Sequence, residues 1–139
     1  MNEDANSIIR AYLAAQTTLT DVVSSRIYHP RLPENCVLPA LGFFTDGGSS
    51  TPYIPGLLSP SVQFDCWGIT PIVARQVYRA LYDVLQGIQN QTVAVGGINY
   101  LIYGAEEEGL AQDMQDADIP AYFRVMATFR LLIRAEDVS

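Results

Sequence analysis

Apolar and polar positions change period several times along this chain, and each change marks an element. Ile8, Ile9, Tyr12 and Leu13 recur at helical spacing behind Asp4 or Asn6, either of which caps a first helix. Leu19, Val22 and Val23 extend that pattern by a further turn. The segment RIYHPRLPENCVLP then holds Pro30, Pro33 and Pro39 with no sustained period, and reads as extended and irregular because proline and the residue before it both resist helix. Ala40–Asp46 (ALGFFTD) is a short strand ended by Asp-Gly-Gly. In SVQFDCWG, Val62, Phe64 and Cys66 alternate with Gln63, Asp65 and Trp67, the period of a half-buried strand. Thr70 and Pro71 have the character of a helix cap and first residue. The helix they open carries an apolar stripe of Val73, Val77, Leu81, Val84 and Leu85 and stops at Gly87.

GGINYLIYG predicts another strand whose faces are both apolar: Ile98, Tyr100 and Ile102 on one, Leu101 and Tyr103 on the other. Such a strand is covered twice, by its own core or by another subunit. EEEGLAQDMQDAD reads as an acidic connection. AYFRVMATFRLLIRA then sets Phe123, Val125, Ala127, Phe129, Leu131 and Ile133 against a face carrying Arg124, Thr128, Arg130 and Arg134. About fifteen residues at ~3.3 Å each exceed the roughly 35–40 Å diameter of a domain this size, so this strand bends, ends early or projects. The elements imply an α+β domain spanning the whole chain, with a mostly antiparallel or mixed sheet of about four to five strands against two or three helices.

One stretch resists this scheme. GGSSTPYIPGLLSP, residues 47–60, reads as a long loop, yet it carries Tyr53, Ile54, Leu57 and Leu58. Either these side chains meet another subunit, or they fold back over the domain's own core as a compact Ω-type loop.

Composition narrows the function classes. The 139 residues carry a formal charge of −7 from 15 acids and 8 bases, and every base is Arg, with no Lys. That balance disfavours ordinary nucleic-acid binding, where affinity comes from neutralising phosphates. The opening MNEDANS lacks a signal-peptide pattern and no apolar run reaches membrane-spanning length, so cytosolic synthesis without a membrane partner is the expectation. Cys36 and Cys66 make no metal or redox spacing, and Cys66 falls on the apolar face of its strand as a small core residue. The single histidine, His29, has no obvious catalytic companion. Asp113, Asp116 and Asp118 lack the order of a calcium loop, and Glu106–Glu108 read as a solvated run. No enzyme, cofactor or metal site is expected.

The sequence of elements, with LPA (Leu38–Ala40) before the first strand, VQFDCWG, ARQVYRALYDVLQG and the late Arg124, Arg130 and Arg134, resembles the tail-terminator or tail-completion proteins of long-tailed bacteriophages and gene transfer agents. The likeness runs from Ile8 to about Arg134, and Val62 to Gly87 is its most specific part. It implies a structural protein of the virion, at the head-proximal end of the tail, assembled in the cytoplasm of a bacterial host. There a homo-hexameric ring would cap the tail tube, end its polymerisation and join a head connector. DNA would pass through its lumen without specific binding. Tyr53, Ile54, Leu57, Leu58, Tyr100, Tyr103, Arg124, Arg130 and Arg134 are the expected contacts with other subunits or the tube. The alternatives are a head-side neck adaptor, a tail-tube subunit or, in another class, a soluble α+β module that binds a ligand in an enclosed apolar pocket.

Overall fold

The computed structural model describes residues 4–29, 37–50, 57–108, 111–115 and 123–134, with backbone alone at 46–50 and 113–115. Three helices, α1 (Ala5–Ala14), α2 (Thr17–Val23) and α3 (Pro71–Leu85), pack on one face of a seven-stranded sheet. Its strands are β1 (Ile27–Tyr28), β2 (Ala40–Ser50), β3 (Leu57–Gly68), β4 (Gln89–Val95), β5 (Ile98–Glu107), β6 (Gln112–Gln115) and β7 (Phe123–Arg134). They follow the order β1-β2-β3-β7-β5-β4, with β6 beside β7. Among the described strand pairs, β1–β2 alone is parallel. The α+β class and α3 are as the sequence predicts, whereas Leu19 and Val23 belong to a separate helix that starts after a break at Ala15 and Gln16, not to a further turn of α1. The sheet is wider than expected because β1, β4 and β6 join it.

The core lies between helices and sheet. Val62, Phe64 and Cys66 of β3 and Val125, Ala127, Phe129, Leu131 and Ile133 of β7 are all buried, as their alternation requires. Phe43, Phe64 and Phe129 form a row across β2, β3 and β7, with ring centroids 5.9 and 5.7 Å apart. From the helices come Ile8, Ile9, Tyr12 and Leu13, Leu19 and Val23, and Ala74, Val77, Ala80, Leu81, Val84 and Leu85. The α3 stripe therefore lies slightly to one side of that read from the sequence, through Ala74 and Ala80, with Val73 half-buried.

Thr70 caps α3 as predicted, its Oγ1 accepting from the Val73 N–H at 3.2 Å. Gly87, at φ +75°, ends the helix in the left-handed region. Its N–H donates to the Ala105 carbonyl at 3.1 Å, which ties the helix end to β5. At the other end α3 lies against Gly68. A Cβ there would stand 2.5 Å from the Ala74 nitrogen, a distance no side chain tolerates.

Residues 47–50 and 57–60, expected in a long loop, are strand. β2 runs to Ser50 and β3 begins at Leu57, paired through Gly48–Pro60, Ser49–Ser59 and Ser50–Leu58 after a bulge. Tyr53 and Ile54 lie outside the described residues. β7 is 12 residues long, roughly 40 Å of strand, so it spans the domain by itself. β4 and β5 join through Gly96 and Gly97, whose φ values of +61° and +81° make the tight turn of a two-residue hairpin.

Candidate interaction surfaces

The sheet face turned away from the helices is built from the alternate residues of β2, β3, β5 and β7. The register puts Phe44, Gln63 and Thr128 in one row, and Asp65 and Met126 in the next. Trp67 and Arg124 form a further row. These side chains are half-buried although they oppose the helical core, because each lies against its cross-strand neighbours.

Arg124 organises one end of this face. A guanidinium nitrogen lies 3.7 Å from an Asp65 carboxylate oxygen, and the guanidinium carbon stands 5.4 Å over the Trp67 ring. The Gln63 amide donates to the same carboxylate oxygen at 3.2 Å. Partial burial raises the Asp65 carboxyl above the usual carboxylate range, with Arg124 and the Gln63 hydrogen bond acting in the opposite sense. Behind it the Cys66 thiol is fully buried. Loss of water, then the Asp65 charge, pushes its ionisation far upward, so it stays a neutral core group.

Arg130 organises the middle. It lies 3.8 Å from Glu108, whose other oxygen accepts from the Ser61 hydroxyl, and its register partner on β5 is Glu106. Both members of the Arg130–Glu108 pair are substantially exposed, so the pair contributes little stability. Arg134 is exposed at the end of β7, opposite Leu57 on one side and Leu101 on the other. Of the late arginines, Arg130 thus meets the Glu106–Glu108 run, while Arg124 takes Asp65.

The remaining expected contacts divide. Leu58 is half-buried against the core, and Leu57 sits beside Arg134. Tyr100, expected above as a contact, is 3 % exposed and opposite Val93, a core position, because its face of β5 is the helical side. The same strand carries a bulge between Ile102 and Gly104, which leaves Tyr103 without a partner position on β7. Tyr103 lines an open cavity of ≈ 440 Å³ with Ser59, Gly104, Glu106, Arg130 and Leu132. This cavity is shallow and charged at its rim rather than an enclosed apolar ligand pocket. Among the described residues no group of three or more His, Cys, Asp or Glu side chains is placed to hold a metal ion. Asp116, Asp118 and Cys36 lie outside the described residues, as does the side chain of Asp113.

The structure adds a surface that the sequence reading missed. Val37, Ile69 and Ile72 are 66 %, 58 % and 72 % exposed. The Ala40–Trp67 pair places Val37 and Ile69 at the same end of the β2–β3 ladder, and Ile72 follows in the first turn of α3. Ile72 was legible in principle, since it stands off the Val77–Leu81 stripe. The opposite end of the sheet carries the Gly96–Gly97 turn, exposed Ile98 and Arg134.

No protein-family model matches this chain, and no curated protein matches it. Among solved structures it is similar to a chain from the virion of a native gene transfer agent particle. The two superpose with a TM-score of 0.68 over 93 % of each chain, at 13 % sequence identity. The chain has that virion component's fold. The likeness covers the helices and the sheet together, since nothing less fills 93 % of both chains.

Proposed function

We propose that this protein is a structural component of a phage or gene-transfer-agent virion, acting as the tail terminator. In this reading a ring of copies caps the head-proximal end of the tail tube, stops its growth and presents a surface to the head connector. The observation that carries it is the fold-wide likeness to a chain of a gene transfer agent particle. Two features support it. The exposed apolar group at Val37, Ile69 and Ile72 offers one end of the sheet to a partner, and the opposite end is chemically different, as a part between two unlike neighbours requires. The charge of −7 per copy discourages passing DNA from adhering.

The β2–β3 hairpin favours a second reading, a tail-tube subunit, because such a hairpin can pair with copies above and below. Copy number separates the two. Quantitative mass spectrometry of purified particles should find about six copies per particle, one closed ring, with antibody-gold at the neck. Dozens of copies with gold along the tail would replace the terminator by the tube subunit, and absence from particles would reject both.

A further inference from the structure

Among the described strands the path β1-β2-β3-β7-β5-β4 leaves an edge at either side, besides the short outer side of the four-residue β6, which pairs with β7 alone. One is β4, which pairs only with β5 among the described strands and is held from the helical side by α1. Gln89, Asn90, Gln91, Thr92 and Ala94 are exposed along it. An edge strand turns alternate N–H and C=O groups outward, and monomeric proteins guard such edges with Lys, Pro, charge or shortness. QNQTVAV is seven residues long and has no charged residue and no proline.

The other edge is β2. β1 covers it only at Leu41 and Gly42, and His29 stacks beside Phe43 at 5.2 Å. From Phe44 to Ser50, a stretch as long as β4, no described strand lies outside it.

We propose that these two edges meet between copies of this chain, so that β4 of one subunit pairs with the distal half of β2 of the next and the sheet continues around the assembly. The proposal rests on the virion-ring reading above and names the contact that closes the ring. The occupant follows from direction and charge. Steps β2-β3-β7-β5-β4 are all antiparallel, so β2 and β4 run the same way. A copy related by rotation about an axis along the strands therefore presents β2 parallel to β4, a heterologous contact of the kind that closes rings. One contact repeated in this way satisfies both edges, whereas β4 against β4 stops at two copies and leaves every β2 edge open. The uncharged β4 also lets chains that each carry −7 approach without like charges at the seam.

The test is cross-linking of a Cys36→Ser chain carrying Ser49→Cys and Ala94→Cys, two positions that parallel pairing of residues 44–50 with Gln89–Val95 sets side by side. A bismaleimide of roughly 10 Å reach tolerates a shift of two residues in register. It is applied to the concentrated purified chain and to purified particles. The double variant should give a ladder of products beyond the dimer, and each single variant monomer alone. Dimer from Ala94→Cys alone, or no inter-copy product in either preparation, would overturn the pairing.

Adjacent prolines give the second measurement, because successive N–H groups of an edge strand point alternately to its neighbour and outward. Of Gln91→Pro and Thr92→Pro, one should lower Tm by breaking the β5 ladder. The other should keep Tm and abolish cross-linking, and a ladder surviving in both would overturn the proposal. A ladder from the purified chain, with no copies found in particles, would reject the virion reading and leave the pairing standing.

Discussion

The Tyr12 hydroxyl of α1 donates to the Val84 carbonyl in the last turn of α3, a hydrogen bond that joins helices 72 residues apart in sequence. Helix-end carbonyls have no partner within their own helix, and this one lies where α1 and α3 meet over the sheet. Burial raises the Tyr12 phenol above its ordinary range, which keeps the proton on the donor. Tyr12→Phe should cost about 1 kcal/mol, since it leaves a buried carbonyl unpaired while keeping the ring. Urea unfolding checks this, with a lower midpoint and an unchanged slope.

Gly68 tests how closely α3 sits on β3. The Cβ of Gly68→Ala would meet the Ala74 nitrogen at 2.5 Å and the Val73 carbonyl carbon at 2.9 Å, both backbone atoms of the same first turn. Neither can move without shifting the helix. The substitution should destabilise by roughly 2–3 kcal/mol, more than ordinary overpacking by one methyl group. A thermal shift under about 2 °C would mean that α3 stands further from the strand.

Asn90 tests the irregular stretch of the β4–β5 ladder. Asn90 has φ +51°, and it falls between the paired residues Gln89 and Gln91 beside the β5 bulge. Asparagine tolerates this conformation better than other side chains and glycine tolerates it best. Asn90→Gly should be neutral within about 0.5 kcal/mol and Asn90→Val should cost about 1–2 kcal/mol. Paired melting curves decide.

Asp65 gives a pH dependence with a definite sign. Its folded carboxyl titrates above the unfolded value because burial disfavours the anion. The folded state therefore binds the proton more readily, so this residue's contribution is most favourable at low pH. That contribution is lost as pH rises through the raised folded value. Relative to Asp65→Asn, the natural protein should gain stability between pH 7 and pH 4. A constant difference across that range would show that Arg124 and Gln63 cancel the burial.

Much of this architecture was legible in the sequence where one period ran long enough. The β3 and β7 alternations and the Thr70–Pro71 cap named their elements, because each strand buries one face and the cap chemistry is local. β4 escaped notice because only Val93 and Val95 face the core while Gln89–Thr92 stay in solvent. Its real signal was Gly96–Gly97, the turn of a hairpin. Residues 47–60 looked like a loop because glycine, serine and proline weaken strand propensity, and the neighbouring β7 supplies the pairing that holds Leu57 and Leu58 in β3. Tyr100 reads as a contact in the sequence because a doubly apolar strand does not say which face meets its own helices. The late arginines were legible as a face but not as pairs, since Asp65 reaches Arg124 only through the sheet register.

The terminator reading makes its sharpest demand on the particle. The gene should be deleted from its parent element and the particles imaged by negative-stain electron microscopy. Tails of irregular or excess length, detached from DNA-filled heads, are the predicted result. Normal-length tails beside unattached heads would move the protein to the head-side adaptor, and intact, infectious particles would contradict the account altogether.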